Sequence, residues 1–233
     1  TTATACNSFN WYGNQYTSTG EYMHILTNTS SCDSIVRMQL TINKAPEIEI
    51  CVVSVDSTST KNVLVWTKPT THFIDTFKIY RDVVGTYTYV GAVPYDSLSL
   101  FIDTDVGINP AITQYRYKIN TVDTCGFESE LSDYHQTIHL NSPILGGATI
   151  DLLWQGYEGF TSNYYYRILR DTIGDFSWHA IDSVSSNVFV YSDIHLPVIN
   201  NPSYLIEIAF PGCIATRKRG QSYNSTRSNR QTI

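Results

Sequence analysis

The sequence predicts an all-β protein built as three consecutive small β domains, of which the second and third are seven-stranded sandwiches. Three observations carry this. No stretch sustains a 3.6-residue apolar period, whereas many short stretches alternate apolar and polar residues, which is the signature of a half-buried strand. Clusters of Gly, Pro, Asn and Asp separate these stretches at short intervals, as turns do in a sandwich. Finally, landmarks in the middle of the chain return after nearly constant spacing: Trp66 at Trp154, Ile79-Tyr80-Arg81-Asp82 at Ile168-Leu169-Arg170-Asp171, Asp103 at Asp193, Tyr115 at Tyr204 and Cys125 at Cys213. Such spacing marks a tandem duplication of one supersecondary unit.

Composition agrees. A chain of 233 residues has room for two to three small domains. Seventeen Tyr and a charged fraction of only 15% leave a surface rich in strand-favouring Tyr and Thr. Acidic residues dominate residues 1–140, while residues 141–233 are balanced, with Arg217, Lys218, Arg219, Arg227 and Arg230 beyond the last acid, Glu207. That contrast is too modest for a nucleic-acid-binding surface. No apolar run approaches the roughly 18–20 residues of a membrane span. The chain begins at Thr1, which reads as a processed or excised piece of a longer chain. Five Cys without a C-x-x-C pair suggest export to an oxidising compartment.

Taken in order, residues 1–43 hold short strands. Phe9–Tyr12 and Gln15–Thr17 flank Gly13-Asn14, a hairpin signal. Residues Glu21–Thr27 follow Gly20, and Ser34–Ile42 places Val36, Met38, Leu40 and Ile42 on one face. A unit this small needs a staple. Cys6 and Cys32 bracket it, and a bridge between them would be worth roughly 3 kcal/mol in the chain-entropy model. After the linker Asn43–Pro46 come seven strands: Ile48–Asp56, Asn62–Thr67, Phe73–Arg81, Tyr87–Val93, Leu98–Asp103, Gln114–Val122 and Glu130–Leu140. The duplication then sets the boundary near Leu140–Pro143, giving domains 1–43, 44–140 and 141–233. Short Pro-containing linkers predict a semi-rigid rod of roughly 100 Å, with strands rising about 3.3 Å per residue.

Two resemblances refine the picture. The stretch Tyr115-x-Tyr117-x-Ile119-x-x-Val122-Asp123, followed by Gly126 and Ser129-x-x-Ser132, resembles strands F and G of a fibronectin type III domain. The resemblance implies that Tyr115 ties its strand back to the preceding loop, and that Trp66, which precedes Lys68-Pro69, is the strand B tryptophan. The order Cys51…Trp66…Cys125 is not that of an immunoglobulin domain, in which a Tyr sits two residues before the second Cys. In a fibronectin-like sandwich the start of strand A and the F–G turn share a pole, which implies a Cys51–Cys125 bridge and leaves Cys213 over. Residues 1–43, with Cys6-x-Ser8-Phe9-x-Trp11 at the start, Cys32-Asp33-Ser34 in the turn and Leu40-Thr41-Ile42 at the end, resemble a repeat of large secreted adhesin-like proteins of Bacteroidetes. The terminal Ser225-x-Arg227-Ser228-Asn229 resembles the lead into a sorting module for type IX secretion.

Chemistry-bearing motifs are few. No G-x-S-x-G, H-E-x-x-H, P-loop or G-x-G-x-x-G occurs, and we expect no catalysis. Two His four apart, His135 and His139, would lie roughly 13 Å apart on a strand, too far to chelate one ion. Asp103 and Asp105 resemble part of a calcium loop without the terminal Glu; they are the chain's only calcium candidates, and no other cofactor is implied. Trp11, Tyr12 and Tyr16 surround a hairpin and are candidates for stacking on sugar rings. Arg217, Lys218 and Arg219 lie in the longest loop and are candidates for an acidic ligand such as an anionic polysaccharide. The sequence-level reading is a set of stalk and adhesion modules of a secreted bacterial surface protein, whose partners are neighbouring domains of the same long chain and a surface polysaccharide or other cell-surface ligand. Accessory modules of a polysaccharide-degrading enzyme, and a subunit of an extracellular filament, are the alternatives.

Overall fold

The computed structural model describes residues 1–27, 33–70, 73–145, 149–195, 201–215 and 221–233. It is all-β. The first unit contains β1 (Thr2–Cys6), β2 (Phe9–Trp11), β3 (Asn14–Tyr16), β4 (Gly20–Leu26) and β5 (Ser34–Asn43). Strand β5 is the centre of a β1-β5-β4 sheet, parallel to β1 and antiparallel to β4. Its alternation is as expected: Met38 and Leu40 are buried, and Ile35 faces solvent. The hairpin β2–β3 turns at Tyr12-Gly13, one residue earlier than the sequence signal, with Trp11 opposite Asn14. Both turn residues have positive φ, 47° and 78°, the conformation a two-residue hairpin turn demands.

The second unit comprises β6 (Ile50–Val55), β7 (Asn62–Trp66), β8 (Ile74–Val83), β9 (Thr86–Pro94), β10 (Leu100–Asp103), β11 (Arg116–Asp123) and β12 (His135–Gln136). They form a sheet β10-β7-β6 and a sheet β12-β11-β8-β9, which is the E-B-A against G-F-C-C′ arrangement of a fibronectin type III sandwich. At the end of the second unit's range β13 (His139–Leu140) crosses to pair with the third unit, which repeats the arrangement with β14 (Ile144–Leu145), β15 (Ile150–Gln155), β16 (Tyr165–Asp171), β17 (His179–Ser185), β18 (Val190–Asp193), β19 (Ser203–Ala215), β20 (Gln221–Arg227) and β21 (Gln231–Thr232). Here β13, β14 and β18 flank β15, and the other sheet runs β17-β16-β19-β20. The single strand expected over Glu130–Leu140 is divided: Gln136 pairs with Arg116, whereas Leu140 pairs with Trp154.

The duplicated landmarks need one correction. Tyr204 lies opposite Arg170, and the residue opposite Arg81 is Tyr117, not Tyr115. Both tyrosines of Tyr115-x-Tyr117 project to one face, so alternation alone cannot separate them. Tyr115 has the role its resemblance implies: its hydroxyl accepts the backbone N–H of Asn109 at 2.7 Å. Tyr117 instead reaches the core carboxylate Asp103 at 2.8 Å.

The cysteine pairs also differ from expectation. Cys6 is bridged to Cys125, with Cα atoms 6.4 Å apart, and Cys51 to Cys213, with Cα atoms 6.0 Å apart. Cys32 lies outside the described residues. Both bridges therefore join neighbouring units, and neither staples a unit to itself. Cys6 ends β1 beside Asn43, the last residue of β5, so it sits where the chain leaves the first unit and meets the F–G turn of the second. Cys51 is the extra residue of a β-bulge between Ile50 and Val52, and Cys213 follows a register shift after Ala209. Bulges redirect side chains out of the alternating pattern, and here they aim two cysteines at each other.

The joint between the second and third units is an overlap, not the end-to-end link of the expected rod. Strand β20 lies against β6 and β19 against β7. The buried hydrophobic cluster runs through both sandwiches, from Trp66, Phe77 and Ile119 to Trp154, Tyr166 and Ile206. The free edge of β6 is closed by side chains of the third unit. Val53 N–H donates to the Tyr157 hydroxyl at 3.2 Å, and the Thr226 hydroxyl donates to Val53 C=O at 2.6 Å. An uncovered edge would present unpaired backbone groups to other chains.

Candidate functional site

Among the described residues, the expected site residues fall in two separate places. Trp11, Tyr12 and Tyr16 form an aromatic cluster with Tyr22 and His24: Tyr12 stacks on His24 at 4.0 Å and Tyr16 lies 4.1 Å from Tyr22. Tyr12 remains 47% exposed. Asp103 and Asp105 do not converge on an open space. Arg81 takes both, through Nη1 to Asp103 at 2.6 Å and Nη2 to Asp105 at 2.7 Å. Although burial opposes its charge, these hydrogen bonds hold the guanidinium pKa well above its ordinary value. The Arg81 guanidinium bridges the two carboxylates, and among the described residues no group of three or more acidic, His or Cys side chains is placed to hold a metal ion. Arg217, Lys218 and Arg219 lie outside the described residues.

A different place gathers polar chemistry. The second unit's turn at 56–59 faces the outer side of the third unit's β16–β19–β20 sheet across a cavity of about 480 Å³, within the roughly 300–1,000 Å³ range of small-molecule sites. Asp56, Ser57, Thr58 and Ser59 line one side; Phe176, Trp178, Leu205, Arg227, Ser228 and Arg230 line the other. A second hollow of about 240 Å³ continues past Trp178 and Arg227 to Arg167, Leu169, Glu207 and Asn224.

Each wall follows from local sequence. In the A–B turn, Asp56 Oδ1 accepts the N–H groups of Thr60 and Lys61 at 2.9 Å, and Oδ2 accepts the Thr58 hydroxyl. Its pKa is held below the usual carboxylate range by these bonds, against the opposing effect of burial. The charge is thus turned into its own loop. On the sheet, Arg167, Glu207 and Arg227 stand in one cross-strand row. Buried Glu207 accepts from Arg167 Nη1 at 2.7 Å and from Arg227 Nε at 2.8 Å, an arrangement that fixes both guanidinium planes.

The third wall is the β16–β17 connection. Its counterpart in the second unit is the tight Val84-Gly85 turn, whereas here residues 172–178 intervene. Buried Asp171 organises the longer loop, accepting the N–H groups of Ile173, Gly174 and Phe176 at 3.0, 2.9 and 2.9 Å. Phe176 takes φ of 66°, a costly region for a non-glycine residue, and the residue is 56% exposed. Arg230 lies 4.9 Å over that ring and makes no ion pair among the described residues. Sequence reasoning missed Trp178 and Phe176. The longer loop between the matched Arg170-Asp171 and the following strand was the signal that could have found them.

No family model matches the chain, and no curated protein matches it. Among solved structures the chain is similar to the FN1–FN3 domains of chicken CNTN1, at 15% identity and TM-score 0.36 over 89% of this chain and 75% of that one. It is also similar to the chicken interferon gamma receptor alpha chain, at 16% identity and TM-score 0.29 over 81% of this chain and 98% of that one. A two-domain fibronectin type III segment of chicken tenascin matches at 16% identity and TM-score 0.30, over 79% of this chain and 97% of that one.

Proposed function

We propose that this chain is a run of non-catalytic stalk and adhesion modules from a large secreted bacterial cell-surface protein, with units over 1–43, 44–140 and 141–233. The observation that carries this reading is that each disulfide joins one unit to the next. Bridges placed this way fix the angle between modules, which is what a spacer needs and a set of independent binding domains does not. Paired cysteines suit an oxidising exterior. The resemblance of residues 1–43 to secreted Bacteroidetes repeats, and of the last residues to the lead into a type IX sorting module, supports the same compartment and origin. A second reading, accessory carbohydrate-binding modules beside a polysaccharide-degrading enzyme, is favoured by the aromatic and arginine lining of the interdomain groove. Small-angle scattering of the oxidised and reduced chain tests the spacer role. The oxidised form should give one fixed maximum dimension, and reduction should broaden the distribution as the first unit swings about residues 44–46. Identical flexible profiles in both states would sink it.

A further inference from the structure

The groove between the second and third units has the chemistry of a ligand site, and that chemistry is specific. Trp178 and Arg227 each line both hollows. Arg227 is oriented through Nε by Glu207, and among the described residues its Nη atoms donate no hydrogen bond. The Arg230 guanidinium rests on Phe176 and is likewise without an acceptor among the described residues. Opposite them are the hydroxyl-bearing Ser57, Thr58 and Ser59, and the single aliphatic side chain in the larger hollow is Leu205. The chain as a whole carries a net charge of −6, so a patch with two available guanidinium groups stands out against it.

We propose that this groove binds an acidic, uronate-bearing polysaccharide, one sugar ring lying on Trp178 and its carboxylate held by Arg227 and Arg230. Arginine forks match a carboxylate in two-point geometry, a flat aromatic face matches the apolar side of a pyranose, and the Ser57 and Ser59 hydroxyls match its ring hydroxyls. The two hollows that Trp178 lines give room for the neighbouring sugars of a linear chain. An acidic peptide would satisfy the two guanidinium groups but brings no pyranose face to lie on Trp178. The tight Val84-Gly85 turn at the corresponding place in the second unit provides no such platform, so the aromatic platform belongs to the third copy alone.

The identity of the ligand rests on the non-catalytic reading above only in taking the polymer as something held, not cut. The test titrates the oxidised 233-residue chain with tetragalacturonate, with the neutral tetrasaccharide maltotetraose, and with hexaglutamate, following the indole N–H signals of its four tryptophans. We expect tetragalacturonate to shift the Trp178 signal, assigned with W178F, and to bind at least tenfold more weakly to R230Q, with R230K intermediate. Raising salt should weaken binding, as screened charges require. Equal binding of maltotetraose, equal or tighter binding of hexaglutamate, no binding of tetragalacturonate, or unchanged affinity in both R230Q and W178F would each overturn the proposal. Chromatography of the recovered tetragalacturonate separates the two readings. Intact sugar keeps both, and cleaved sugar removes the non-catalytic reading while leaving the groove as the binding site.

Discussion

Arg81, Asp103 and Tyr117 form a buried triad that Arg170, Asp193 and Tyr204 repeat in the third unit. In each, the guanidinium Nη1 lies 2.6 Å from the carboxylate and the tyrosine hydroxyl donates to the same oxygen at 2.8 Å. Burial and the neighbouring carboxylate push both tyrosine pKa values upward, so the hydroxyls stay protonated donors. Removing Asp103 would leave buried Arg81 with only the exposed Asp105 as its partner and the Tyr117 hydroxyl without its acceptor. Asp103→Ala should cost about 3–5 kcal/mol, and Tyr117→Phe about 1–3 kcal/mol, read as shifts in denaturant midpoint; exposed Asp105→Asn should leave the midpoint nearly unchanged. His135 adds a pH dependence at the interface. Its Nδ1 lies 2.6 Å from the Tyr157 hydroxyl, which already accepts the Val53 N–H. Burial pushes its pKa down to about 4, with Asp133 opposing. A depressed histidine pKa means that the unfolded chain takes up the proton first. Stability therefore falls as pH drops from about 6.5 to about 4, by up to about 3 kcal/mol at 1.36 kcal/mol per pKa unit. Urea midpoints across this range should slope more steeply in the wild type than in His135→Gln; parallel slopes would show that the interface does not sense this proton.

At the scale of elements, most of the sandwich was legible because strand alternation and turn chemistry are local. Ser129 and Ser132 show why the S-x-x-S spacing matters. Their hydroxyl oxygens accept the backbone N–H groups of Thr121 and Ile119 where β12 has left the ladder, and Ser228 does the same for Ile206 in the third unit. The side chains stand in for missing strand partners. What stayed illegible was the packing of one unit on the next. Yet Ile50-Cys51-Val52-Val53 and Val63-Leu64-Val65-Trp66 are continuous apolar runs, and such runs belong to strands covered on both faces. In the structure Val52, Val53, Leu64 and Val65 are all buried, because the third unit's β19–β20 hairpin covers the face that a lone sandwich would expose. The groove was illegible for a related reason: its walls lie far apart in sequence, at 56–59 and at 176–230, and only the overlap brings them together.

For the whole molecule, the two disulfides decide how the units move. The cysteine that sequence spacing leaves over, Cys213, turns out to be the one that locks the overlap, since the extended β19 carries it past its own sandwich to the bulge at Cys51. The crosslink spans 162 residues, and the chain-entropy relation gives it about 5 kcal/mol as an upper value. Much of that value concerns the unfolded chain, so the folded overlap should survive without it. Its non-covalent cover includes the shared core and the Tyr157 and Thr226 hydrogen bonds to Val53. By contrast, among the described residues the 44–47 linker is tied to the second unit by one side-chain hydrogen bond, from the Thr121 hydroxyl to Pro46 C=O at 2.6 Å, and Cys6–Cys125 joins the first unit covalently to the second. Peptide mapping of the unreduced chain should recover Cys6 with Cys125 and Cys51 with Cys213. In hydrogen exchange, Cys51→Ser/Cys213→Ser should lower the unfolding midpoint while β6 and β20 remain protected. The same chain-entropy relation gives the 119-residue crosslink nearly as much, so Cys6→Ser/Cys125→Ser should also lower the midpoint, and should in addition expose the N–H groups around residues 44–47 to rapid exchange. If instead loss of Cys51–Cys213 frees β20 to exchange as a loop does, the overlap is held by the bond and not by the surfaces it joins.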